Sequence, residues 1–131
     1  MPNRPLIVIV DDDESVRTAL GSLVRAVGFG AQAFASAEEF LVSRHQESAA
    51  CLILDVNMPG MSGSELHRRL VKSGRAIPTI LITGTPDDEA RKSAVREGVV
   101  CYLGKPVPAE DLLACVHSAL GRSHRAPASR E

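Results

Sequence analysis

The sequence has no surplus of charge of either sign. Fifteen Lys and Arg stand against 16 Asp and Glu over 131 residues, a net charge of -1, and the two signs are interspersed. That excludes the basic stripe of a nucleic-acid binder and the polybasic anchor of a peripheral membrane protein. Long apolar runs are missing too. The start, "MPNRPLIVIV", offers one Arg and a five-residue apolar run before three Asp, too short for a signal peptide or a membrane span. A soluble, cytoplasmic protein is expected, with neither nucleic acid nor membrane as a direct partner. Cysteine is scarce: Cys51, Cys101 and Cys115 are odd in number, lie in apolar stretches, and form no C-x-x-C pair or zinc spacing with His. They are expected as reduced core thiols. Also absent are G-x-x-x-x-G-K-[ST], G-x-G-x-x-G and G-x-S-x-G, which removes nucleotide-binding and acyl-hydrolase readings. His45, His67, His117 and His124 are expected at the surface and not as ligands.

What the chain does have is a regular alternation of two patterns. Apolar runs at residues 6–10, 30–34, 51–54, 79–82 and 99–103 suit parallel strands, the first, third and fourth being nearly uninterrupted Ile, Leu and Val, as strands covered on both faces require. Between them the period becomes helical. Val16, Ala19, Leu20, Leu23, Val24 and Val27 form one stripe, closed by Gly28 where a helix end wants a left-handed residue. Ser36 and Glu39 are spaced as a capping box for a second helix, and Leu66 and Leu70 mark a third over 64–72. A last helix over 109–120 opens after Pro108 and repeats the stripe through Leu112, Leu113, Val116, Ala119 and Leu120. The fourth, near 87–97, differs: Ala90, Ala94 and Val95 are its only apolar anchors amid seven charged residues, so loose docking is expected.

Length allows one domain, placed over residues 1–121, with 122–131 as a disordered tail or linker remnant. Five strand-helix repeats make an α/β fold, a doubly wound parallel sheet of five strands with five helices on its two faces, the simplest topology. Ligands in such sheets bind outside the carboxyl ends of the strands. There the sequence puts Asp11, Asp12 and Asp13 after the first run, Asp55 after the third, Thr83 after the fourth, and Lys105 with Pro106 after the fifth. Any one of these alone reads as a turn former, a cap or a solvated side chain; together on one edge they read as a site.

Carboxylates about 4 Å apart repel by roughly 4 kcal/mol per pair at an effective dielectric near 20. Asp11, Asp12 and Asp55 therefore call for a cation. Lys105 supplies one charge, and all-oxygen donors without His or Cys select a hard divalent ion, of which Mg²⁺ with carboxylates, waters and a phosphate is the usual case. Asp55 is then either a metal ligand alone or a nucleophile toward a phosphoryl group, with Thr83 binding its oxygens. Residue chemistry leaves both roles open.

From about Leu6 to Leu120 the chain resembles the receiver domain of bacterial two-component response regulators. "IVDDDESVR", "LILDVNMPGMSG", "ILITG" and "YLGKP" follow that family's order and spacing. The resemblance implies a flavodoxin-like sheet in the order 2-1-3-4-5 and a phosphoprotein of phosphorelay signal transduction. Asp55 would be the phosphoacceptor, Asp12 a direct Mg²⁺ ligand, Asp11 a ligand mainly through water, and the Asn57 main-chain carbonyl the remaining protein ligand. Lys105 would pair with Asp55 and then with the phosphoryl group, Thr83 would hydrogen-bond it, Tyr102 would be the aromatic switch, and the bond to Pro106 would be cis. The implied partner is a sensor histidine kinase or phosphotransfer protein, with a homodimer on phosphorylation as one mode of output. Two departures lie beside the switch: Val107 after "KP", where Phe is usual, and Gly84 after Thr83, where Ala or Ser is commoner.

Asp13 is read as the start of the following helix. A Mg²⁺-dependent aspartate-nucleophile phosphatase is the rival, but "DVNMP" lacks a D-x-D-x-T arrangement and there is no insert for a substrate cap. A degenerate receiver acting without phosphorylation is opposed by intact Asp11, Asp12, Asp55, Thr83 and Lys105. The chain is thus expected to be a signalling phosphoacceptor with slow autodephosphorylation and no outside substrate. The eleven residues after Leu120 leave no room for an effector domain here, so a stand-alone regulator and a receiver from a longer transcription factor both stay open.

Overall fold

Each apolar run becomes a strand in the computed structural model, which describes residues 4–124, with side chains through Gly121. The strands are β1 (Leu6–Val10), β2 (Gly30–Phe34), β3 (Ala49–Asp55), β4 (Thr79–Thr83) and β5 (Cys101–Gly104). They alternate with α1 (Glu14–Ala26), α2 (Ala37–Val42), α3 (Gly63–Lys72), α4 (Asp88–Arg96) and α5 (Ala109–His124). All pairings are parallel and the order is β2-β1-β3-β4-β5. Register aligns Val10 with Leu54, Asp55 with Ile82, and Thr83 with Gly104. The carboxyl ends of β1, β3, β4 and β5 therefore open on one edge.

The two-residue period of the strands sorts the core into two layers. Ile7, Ile9, Cys51, Ile53, Ile80 and Ile82 face α1 and α5, meeting Leu20, Val24, Leu112 and Val116. Val8, Val10, Leu52, Leu54, Leu81 and Tyr102 face α2, α3 and α4, meeting Phe40, Leu66, Leu70 and Ala94. Helix starts follow their caps. Asp13 accepts from Ser15 N and Val16 N at the start of α1, as expected. The complete capping box belongs to α3, where Ser62 and Glu65 bond reciprocally. At α2 only half of the expected box forms: Ser36 accepts from Glu39 N, while Glu39 Oε1 accepts from Ala35 N.

Four expectations are corrected. Cys101 and Cys115 are joined by a disulfide, and only Cys51 is a free thiol; the turn from β5 into α5 brings their Cα atoms to 6.2 Å, a proximity that a 14-residue separation does not announce. His67 is 4 % exposed, because it falls on the inner face of α3 beside Leu66 and Leu70, and burial holds its ring below the ordinary histidine value. His45 is half-buried against the Phe34 ring, leaving His117 as the exposed histidine among the described side chains. Val95 does not anchor α4 but is 63 % exposed, the buried contact being Ala94. Helix α5 runs on to His124, past the end of its apolar stripe. The side chain of His124 and residues 125–131 of the expected tail lie outside the described residues.

Candidate functional site

β1 and β3 deliver their terminal carboxylates into a setting where neither is wetted. Asp11 is fully buried and Asp55 is 2 % exposed; Asp12, one residue on, is exposed. Carboxylate oxygens of the three lie within 4.8 Å of one another. Lys105, after β5, reaches back across the edge, with Nζ 3.0 Å from Asp11 Oδ2 and 3.5 Å from Asp55 Oδ1. Main-chain donors complete the two buried acids: Asp13 N donates to Asp11 Oδ1 at 2.9 Å and Asn57 N to Asp55 Oδ1 at 3.1 Å.

Charge in this cluster is not balanced. One ammonium faces three carboxylates, and Asp55 is held up to about 6, chiefly by burial, with Asp11 and Asp12 adding repulsion against the pull of the Asn57 N–H and Lys105. Burial alone would lower Lys105, but its pairing with Asp11, and then with Asp55, raises it. Such a site favours added positive charge. Its donors are all oxygen, and one of the three acids faces solvent. Asp11 Oδ2 is buried and, apart from its ion pair with Lys105, accepts no hydrogen bond among the described residues. These features fit a hard divalent ion such as Mg²⁺ and give a soft one nothing to bind.

Thr83 ends β4 with its hydroxyl buried but engaged: it donates to Asn57 Oδ1 at 2.7 Å and accepts from Thr85 N at 3.1 Å. Asn57 thus acts here through its side chain, while its main-chain N–H serves Asp55. Lys105 N donates to Thr83 O at 2.7 Å, tying the fourth and fifth strand ends together, and the Lys105–Pro106 bond is cis. Tyr102 is buried in the α4 layer, its ring under the Arg91 guanidinium at 5.0 Å and its carbonyl accepting from Arg91 Nη1 at 2.8 Å. All the residues singled out from sequence meet along this edge except Tyr102, which lies two residues before the carboxyl end of β5, within the buried layer.

Sequence reading missed three supports. Gly63 packs against the backbone of the phosphoacceptor candidate: a Cβ there would sit 2.5 Å from Asp55 O, so only glycine lets α3 start beside β3. Its signal was the glycine ending "MPGMSG". Arg17, on α1, donates to Asp11 O at 2.7 Å. Arg91, read only as a charge on a poorly anchored helix, holds Tyr102. Neither arginine has a sequence signature, since each acts across two elements.

The fold and site define a doubly wound α/β protein with a cation-seeking acidic centre at the carboxyl ends of its strands. The family model described as the response regulator receiver domain matches residues 7–117, and the chain belongs to that family. It is 44 % identical over 115 residues to response regulator protein TmoT of Ectopseudomonas mendocina, covering 88 % of this chain and 52 % of that protein. It is 33 % identical over 129 residues to transcriptional regulatory protein FixJ of Bradyrhizobium diazoefficiens, covering 98 % and 63 %. The chain spans about half the length of the curated relatives it matches. A solved response regulator receiver protein from Pseudomonas putida is alike with a TM-score of 0.81 at 34 % identity, covering 88 % of this chain and 97 % of that one. Among the described residues no helix is long and apolar enough to cross a membrane.

Proposed function

We propose that Asp55 accepts a phosphoryl group from the phosphohistidine of a sensor kinase or phosphotransfer protein, and that the acylphosphate so formed switches the α4–β5–α5 face for an output partner. One observation carries the reading: a buried carboxylate at the end of β3 lies 3.5 Å from an ammonium and within 4.8 Å of two further acids. An Asp55 oxygen attacks phosphorus, the N–P bond breaks, and the donor imidazole leaves. Asp11, Asp12, Asp55 and the Asn57 carbonyl would hold Mg²⁺, which when bound neutralises charge on the transferring oxygens. Lys105 turns from Asp55 to the phosphoryl group. Thr83 exchanges Asn57 Oδ1 for a phosphoryl oxygen, and its movement empties space into which the Tyr102 ring can turn. Slow hydrolysis at phosphorus returns Asp55 to its carboxylate, and a cytoplasmic homodimer is one form the output takes.

Incubation with acetyl phosphate and Mg²⁺, read by intact mass, tests this. Wild type should gain a single phosphoryl group and Asp55→Asn none. Undiminished gain in the variant would place the acceptor elsewhere.

A further inference from the structure

The disulfide between Cys101 and Cys115 lies outside the acidic site and has no part in phosphoryl transfer. Its place in the fold is nonetheless specific. β5 is an edge strand, and α5 lies mainly over β3 and β4, so the S–S bond is the covalent tie between α5 and that edge. Adjacent strand residues point to opposite faces. Tyr102 accordingly packs in the α4 layer while Cys101 packs against the α5 layer. The strand is thus held from both sides, by Arg91 of α4 on Tyr102 and by Cys115 of α5 on Cys101.

We propose that Cys101 and Cys115 form a reversible redox modification site, exchanging with low-molecular-weight thiols of the glutathione class, whose disulfide form restrains the phosphorylation-driven movement of β5. The proposal rests on the phosphoacceptor reading above. In the forward step a small thiolate attacks the sulfur of half-buried Cys101; the protein S–S bond breaks, and Cys115 leaves as a thiolate and takes up a proton. A second small thiol attacks the mixed disulfide and frees Cys101, so that two small thiols are oxidised to one small disulfide as the protein disulfide is reduced to two thiols. Oxidation by the small disulfide reverses both steps. A reducing compartment would keep the pair open and the switch free, and an oxidative shift would close it. Cys51 takes no part: it is buried, and its thiol is pushed up to about 12, leaving almost no thiolate to react.

The full chain carries its own reporter, because it has one Tyr and no Trp, and its intrinsic fluorescence comes from Tyr102. The chain is equilibrated across ratios of reduced to oxidised glutathione, alkylated and weighed to score the disulfide, and its Tyr102 fluorescence is followed as beryllofluoride, a phosphoryl mimic, is added with Mg²⁺. Reduced protein should respond, oxidised protein should lose most of that response, and Cys101→Ser/Cys115→Ser should respond fully in both buffers. Should the double variant fold poorly, reduced wild type supplies the open state. Equal responses in the two redox states, or no disulfide at any ratio, would overturn the redox site and leave the phosphoacceptor standing. Silence of the reduced protein would overturn the redox proposal together with the switch, and silence accompanied by no acetyl phosphate labelling of Asp55 would overturn the phosphoacceptor reading itself.

Discussion

The acidic edge and the α4–β5 flank are built on opposite terms. Around Asp55 the strands β1, β3 and β4 are buried on both faces and joined by parallel ladders, and the cost is concentrated in unbalanced charge. Around Tyr102 the charges are solvated, and what is lacking is apolar anchorage: α4 buries Ala94 and little else, with Val95 facing water. A rigid region that stores electrostatic tension can respond to a small chemical change. A weakly anchored region can move in answer. Thr83 links them, because its hydroxyl touches the edge through Asn57 and its carbonyl touches the β5 exit through Lys105.

The largest effect should come from disturbing the rigid side. Gly63→Val forces a side chain against the Asp55 backbone and should destabilise by about 3 kcal/mol, read as a fall in denaturation midpoint together with loss of acetyl phosphate labelling. A variant as stable as wild type would show that the α3 start is soft. Next in size is the electrostatic tension. Mg²⁺ at a hundred times its dissociation constant should stabilise the native state by about 2.7 kcal/mol, and Asp12→Asn should blunt that gain while raising metal-free stability. If Asp12→Asn responds to Mg²⁺ like wild type, Asp12 is not a ligand.

The same tension has a pH signature. Asp55 keeps its proton up to about 6 in the folded chain against an ordinary 3.8. Its contribution to metal-free stability is therefore full below 3.8 and is lost as pH rises through about 6. Metal-free wild type should lose stability across that window relative to Asp55→Asn, and Mg²⁺ binding should weaken as pH falls below about 6, where folded Asp55 takes up its proton. A pH-independent difference between the two proteins would refute the assigned ionisation.

On the soft side, Arg91→Ala removes one ring contact and one hydrogen bond to Tyr102, a loss of about 1 kcal/mol. Labelling of Asp55 should survive, while amide exchange in α4 and β5 rises. Lost labelling would show that the two regions are not separable in this way.

What was legible in the sequence follows the same division. Runs of Ile, Leu and Val ending in Asp55 or Thr83 reveal strands and site together, because a parallel strand is apolar throughout and its ligands must sit at its end. Gly63, Arg17 and Arg91 stayed hidden because their roles depend on which elements adjoin. His67 was misjudged because a polar residue on a helix was taken for a surface one, although its period matches Leu66 and Leu70. The disulfide was hidden by an odd cysteine count and by a partner on another kind of element.

The central claim is that phosphorylation chemistry at the rigid edge moves the soft flank. Amide hydrogen exchange of the full chain with Mg²⁺ and with Cys101 and Cys115 reduced, compared with and without beryllofluoride, measures it most directly. The account predicts that the largest changes fall between residues 83 and 120, with α4 prominent among them. Changes confined to the loops after β1 and β3, with α4 untouched, would contradict it.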